Sequence, residues 1–164
     1  MMALRVAGYV KLAKLWEKNR INALNLHQQY FAEKFEDDPT HELVGVYVDI
    51  TGNKNIRQRS EMIRLLHDCC HRRVDIVYTQ TKAYLAANTR EFFYLLKFLF
   101  DLDNRIDIVT EDTDYNIDTI RDAENQTAEL KNLVNRYSAL NPGDYERWKA
   151  EILAAISAKQ GGHS

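Results

Sequence analysis

Cysteine is scarce. Among 164 residues there are two, Cys69 and Cys70, and they are neighbours. A disulfide needs a defined separation and direction of its two side chains, which adjacent residues meet poorly, so a reducing, cytoplasmic setting is expected and stability must come from a core. Long apolar runs are lacking too. None approaches the ~20 residues that span a bilayer, and no N-terminal stretch has the make-up of a signal peptide, so no membrane role is expected. Neither sign of charge dominates: 22 Lys and Arg stand against 24 Asp and Glu, for a net charge of −2. Any contact with nucleic acid must therefore come from a local patch. The six glycines form neither G-x-G-x-x-G nor a Walker loop, which argues against a nucleotide site, and no cofactor is expected. There is no internal repeat and no low-complexity segment.

Two kinds of apolar pattern alternate along the chain. Leu4 to Val10, Leu43 to Asp49, Val74 to Thr79 and Ile106 to Thr110 are short, nearly continuous apolar runs, as expected of strands buried on both faces. Between them, Lys14 to Phe35 lacks Gly and Pro and sets Leu24, Phe31 and Phe35 near one helical face. Arg59 to His71 places Met62, Leu65, Leu66 and Cys69 at i, i+3, i+4 and i+7. A helix from about Asn88, with Thr89 as a cap, to Leu102 is apolar almost all round, which predicts burial on two sides or a place in an oligomer interface. Strands alternating with helices predict an α/β fold around a mostly parallel sheet of four to five strands, flanked by helices in three layers. The C-terminal third is purely helical. Ile120 to Leu140 carries Ala123, Leu130, Val134 and Tyr137 on one face, Asn141-Pro142-Gly143 breaks it, and Asp144 to Lys159 carries the stripe Tyr145, Trp148, Ile152, Ala155 and Ile156. The expected division is an α/β domain over 1–115, a helical extension over 116–160 and a flexible tail over 161–164.

Ligands of open α/β sheets bind beyond the C-terminal ends of the strands. Those ends carry Lys11, Lys82 and, at the start of a helix, Arg59, which would make either an anion site or a solvated loop edge. His67, Cys70 and His71 share a helical face, but zinc usually draws ligands from two separate elements and no second cluster exists, so no metal is expected. Ser60, Ser138 and Ser157 lie on predicted helices with no spacing that suggests a base.

The order and spacing of several short strings resemble the catalytic domain of the serine recombinases, the resolvase/invertase family, over residues 4 to 114 and again over 142 to 158. Gly45-Val46-Tyr47-Val48-Asp49 resembles the family's G-x-Y-x-D. Thr51-Gly52 and Arg59-Ser60 resemble its S-G turn and R-P helix start, and Met62 to Asp68 follows well. Val74-Asp75-Ile76-Val77 resembles I-D-x-[IV], and Thr110-Glu111-Asp112-Thr113-Asp114 resembles T-E-x-x-D-T. The first strand of the family ends in Y-x-R-x-S, whose Ser forms the phosphoserine bond to DNA. Here the string is Tyr9-Val10-Lys11-Leu12-Ala13. The family's S-R-F-G-R-N, which sends two arginines to the scissile phosphate, aligns with Ala83-Tyr84-Leu85-Ala86-Ala87-Asn88. The resemblance thus implies a resolvase-like fold whose nucleophile position is Ala13, whose arginine positions are Lys11, Tyr84 and Ala87, and which keeps Arg59. It also implies that residues 116 to 140 are an inserted helix and that 142 to 158 correspond to the start of the family's dimerisation helix.

Three functions are consistent with these residues. The first is a non-catalytic domain that binds DNA, a second copy of itself in a homodimer or higher oligomer, or an active recombinase. Lys11, Lys14, Arg59 and Lys82 would then be its phosphate contacts. The second is a recombinase or nuclease with a relocated nucleophile among Thr51, Thr81 and Tyr84. The third is a structural or regulatory dimer without a DNA role, with Phe92, Leu96, Leu99, Tyr145, Trp148 and Ile152 as interface candidates.

Overall fold

The computed structural model describes residues 2–112 and 124–161. Thr113, Asp114, Ile120, Ala123 and the tail after Gly161 lie outside the described residues. Four strands, β1 (Leu4–Leu12), β2 (His41–Ile50), β3 (Ile76–Thr79) and β4 (Asp107–Thr110), form one parallel sheet in the order β2-β1-β3-β4. The chain steps one way from β1 to β2 and the other way from β2 through β3 to β4. Right-handed crossovers then require the first connecting helix on one face and the later ones on the other. So α1 (Arg20–Phe35) covers one face, while α2 (Ser60–Cys70) and α4 (Thr89–Phe100) cover the other, with the single-turn α3 (Lys82–Leu85) between β3 and α4.

On the α1 face the cluster is small: Val10, Leu12, Ala23, Phe31 and Val48, with Leu43, Val46 and Ile50 packed against it. Gly8 is what lets Phe31 seat there, since a Cβ at Gly8 would fall 2.9 Å from three atoms of the Phe31 ring. Strand side chains alternate faces, so Leu43 and Val46 could not both point at α1 in a regular β2. A register shift resolves this: Val6 pairs with Leu43 and Ala7 with Gly45, leaving Val44 as an extra, exposed residue.

The opposite face is thicker. Helices α5 (Glu124–Ala139) and α6 (Pro142–Gly161) pack over α2 and α4, and Val134, Tyr145, Trp148, Ile152 and Ile156 belong to the same buried cluster as the α2 and α4 side chains. The all-round apolar character of α4 follows, because it lies between the sheet and these helices. Leu96, Leu99, Tyr145, Trp148 and Ile152 are at most 4% exposed within one chain and Phe92 is partly buried against them, so in this conformation they form core rather than a surface for a second copy. The Asn141-Pro142-Gly143 break is the start of α6 itself: the Asn141 side chain accepts from the Asp144 N–H at 3.2 Å and Pro142 takes the first helical position. The segment predicted as one helix from Lys14 begins instead as a six-residue 3₁₀ helix, Lys14–Asn19, before α1.

Two ionic anchors tie these layers. Glu91, 3% exposed, accepts from the Ile56 N–H at 3.1 Å and from the Trp148 Nε1–H at 2.6 Å, joining α4, the loop after β2 and α6. Asp144 accepts from Arg90 at 2.7 Å and from the Tyr94 hydroxyl at 2.8 Å. The Arg90 and Tyr94 hydrogen bonds hold the Asp144 carboxyl at about 2, below its ordinary value.

Gly8→Ala is expected to cost ~1–3 kcal/mol in urea unfolding, because Phe31 must move off a packed seat. Since Asp144 titrates lower in the folded chain than in the unfolded one, its contribution is complete above about pH 4 and is lost as pH falls toward 2. Asp144→Asn should therefore flatten the dependence of melting temperature on pH between about 4 and 2.

Candidate functional site

The strand order reverses between β1 and β3, and the crevice at their C-terminal ends is where an open α/β sheet receives ligands. Each side chain that the sequence places there has an identifiable position. Lys11, in register with Asp49, is partly exposed at the end of β1. Ala13 is exposed just beyond it, its carbonyl accepting from the Trp16 N–H at 3.0 Å, and Lys14 is exposed beside it. Lys82 opens α3, half-buried, with its backbone N–H on the Asp112 carboxylate at 3.0 Å.

Arg59 is different. It is 1% exposed, and its guanidinium donates to four backbone carbonyls: Tyr84 at 2.8 Å, Leu85 and Asn53 at 3.2 Å, and Lys54 at 3.4 Å. One cation thus fastens the loop after β2 to the C-terminal end of α3. The physical reason is that these carbonyls have no ladder to join, and a buried carbonyl must find a donor. The expected grouping of Arg59 with Lys11 and Lys82 around an anion does not form in this arrangement, because its donors point into the protein.

Asp49 plays the complementary part. It is 4% exposed and accepts from the Tyr9 hydroxyl at 2.8 Å and from the first N–H groups of α2, Glu61 at 2.9 Å and Met62 at 2.8 Å. A carboxylate at a helix N-terminus satisfies orphan donors and the helix dipole together. Burial, reinforced by the neighbouring Asp49, pushes the Tyr9 phenol far above its ordinary range, so it stays a neutral donor.

Tyr84 stands where the resemblance places an arginine. Its ring packs against the clusters on both faces of the sheet, so it caps the sheet's upper edge with an apolar surface. Ala87, the second such position, lines a cleft of about 510 Å³ between α3 and α4 whose floor includes Ala83, Ala86, Phe92 and Phe93. The hydroxyls nearby have structural partners. Thr51 accepts from the Asn53 N–H at 3.0 Å, and Thr81 caps α3 through the Ala83 N–H at 3.3 Å while donating to Asp112 at 3.1 Å.

Beyond β4, on the α1 side, lies a cluster that no sequence pattern indicated. The Glu111 carboxylate accepts from the hydroxyls of Tyr30 at 2.6 Å and Tyr78 at 2.8 Å, with the Lys34 ammonium at 3.0 Å. Burial pushes Glu111 up, but the hydrogen bonds from Tyr30, Lys34 and Tyr78 outweigh it and hold the carboxyl below its ordinary value. His67 and His71 stack at 4.1 Å on α2, Cys69 is buried, and among the described residues no three His, Cys, Asp or Glu side chains are grouped to hold a metal. No described helix is long and apolar enough to cross a membrane.

Neither a family model nor a curated protein matches the sequence. Solved structures do. The N-terminal catalytic domain of TP901-1 integrase superimposes with a TM-score of 0.55 at 21% identity, over 87% of this chain and 97% of that one. The fold is that of the serine recombinase catalytic domain. A resolvase family site-specific recombinase from Streptococcus pneumoniae aligns with a TM-score of 0.52 at 15% identity, covering 98% of this chain and 99% of that one. The C-terminal catalytic domain of ISC1926 TnpA, an IS607-like serine recombinase, aligns with a TM-score of 0.51 at 18% identity, covering 98% and 100%. These alignments span between 87% and 98% of this chain.

Arg59→Ala is expected to destabilise the chain by about 3 kcal/mol or more, since four carbonyls lose a charged donor at once. Arg59→Lys, which keeps the charge but loses the fork, should cost less. Urea denaturation of both variants reads the difference. Stability indifferent to either change would mean that Arg59 is not the fastener described.

Proposed function

We propose that this recombinase-like chain binds DNA without cutting it. The observation that carries the reading is at the exit of β1, where the family string places the attacking serine and this chain presents the exposed methyl of Ala13. A methyl group has no lone pair to attack phosphorus, and the hydroxyls of Thr51 and Thr81 serve a turn and a cap. Stabilisation of the transition state would be missing as well. The two arginine positions are Tyr84 and Ala87, and the retained Arg59 spends its donors on backbone carbonyls. What remains at the crevice is positive charge without a reactive group, in Lys11 and Lys14. That suits contact with phosphate rather than chemistry on it. The names of the structural neighbours, a site-specific recombinase and an integrase among them, favour DNA as the ligand class.

The test incubates the purified chain with duplex DNA, quenches with detergent and runs denaturing gels beside native gels. The expected result is a salt-sensitive mobility shift with no covalent protein–DNA adduct and no nick, and Ala13→Ser alone is expected to restore neither. A covalent adduct with the natural chain overturns the reading. If Tyr84→Phe then abolished that adduct, the relocated-nucleophile alternative would replace it. A second copy or an added active recombinase as partner would show as a slower species on the native gel.

A further inference from the structure

The 3₁₀ helix Lys14–Asn19 buries none of its six side chains. Two of them are nevertheless Leu15 and Trp16, exposed at 72% and 43%, and Ile21 in the first turn of α1 is exposed at 74%. With three residues per turn, Leu15 and Lys18 stack in one row and Lys14 and Glu17 in another, leaving Trp16 on the third. Glu17 is engaged by Arg20 at 3.0 Å, whereas Lys14 and Lys18 have no ion pair among the described residues. The local sequence is nearly one-signed: between Val10 and Ala32 the chain carries Lys11, Lys14, Lys18 and Arg20 against the single carboxylate Glu17. A balanced chain thus concentrates cations and an exposed indole on one short element that its own core does not use.

The charge decides among occupants. A second copy docking symmetrically would bring these lysines against their own counterparts. A nucleic-acid strand brings phosphates to the ammonium groups, and its bases need a flat apolar surface only when they are unpaired. We propose that the Lys14–Ile21 segment is a binding surface for single-stranded DNA, with an unpaired base stacked on Trp16 and the strand's phosphates held by Lys14 and Lys18 on the neighbouring rows. This rests on the DNA-binding reading above and adds the form of DNA: strands with bases exposed.

The test titrates the full chain into a labelled oligothymidine of ~20 nucleotides and into a duplex of the same length, by fluorescence anisotropy at low salt. Trp16→Ala should weaken single-strand binding by about tenfold and leave the duplex unaffected, and Trp16→Phe should recover most of the loss. Trp16 belongs to no buried cluster, so its replacement leaves the core intact, and circular dichroism of each variant checks folding. Lys14→Gln combined with Lys18→Gln should reduce the salt slope of single-strand binding by about 1.4. Unchanged single-strand affinity in Trp16→Ala, with duplex binding intact, overturns this inference and leaves the previous one standing. Binding to neither oligonucleotide removes both. Concentration-dependent dimerisation, or adsorption to phosphatidylserine vesicles, that Trp16→Ala abolishes while oligonucleotides are ignored would assign the surface to a second copy or to a membrane instead.

Discussion

Buried charge tolerates no neglect, and the upper edge of this sheet is organised around two such charges. Asp49 gathers the hydroxyl of β1's Tyr9 and the opening N–H groups of α2. Arg59, one residue before that helix, gathers carbonyls from the loop after β2 and from the end of α3. Between them they fix where α2 starts, how the loop after β2 folds back and where α3 sits. Each is costly to bury alone and each is satisfied by backbone, so the loops cannot rearrange without exposing an unpaired group in a dry place. The geometry of the crevice is a by-product of that requirement.

Asp49 and Arg59 are both held in place by hydrogen bonds to backbone groups. Ala13 is exposed, Tyr84 packs against the clusters on both sides of the sheet, and Ala87 lines a cleft with Phe92 and Phe93.

Much of the fold was legible in the amino-acid order, because burial on both faces writes parallel strands as apolar runs and one-sided burial writes α2 as a period of 3.6. The limits were equally physical. Helical periodicity in α4, α5 and α6 shows that an apolar face must be covered but not by what, and here the chain covers its own. Lys14–Asn19 carries no Gly or Pro to mark the change from 3₁₀ to α. At the site, the positions around β1's exit could be named in advance, whereas the inward turn of Arg59 could not, since it reaches the Tyr84 carbonyl 25 residues away in sequence. Glu91 offered a usable signal, an acidic residue inside an otherwise apolar helix, which foretells a buried partner such as Trp148.

The extra residue in β2 has a consequence at the other side of that strand. Among the described residues β2 pairs only with β1, so its ten residues form an outer edge with backbone groups available to any passing strand. A straight edge of that length would be a template for stacking one molecule's sheet onto another's. Val44 interrupts it: the bend it introduces breaks the regular spacing of donors and acceptors, so an incoming strand can match the part before the bulge or the part after it, but not both in register. The irregularity that lets Leu43 and Val46 share one face also keeps the sheet from growing.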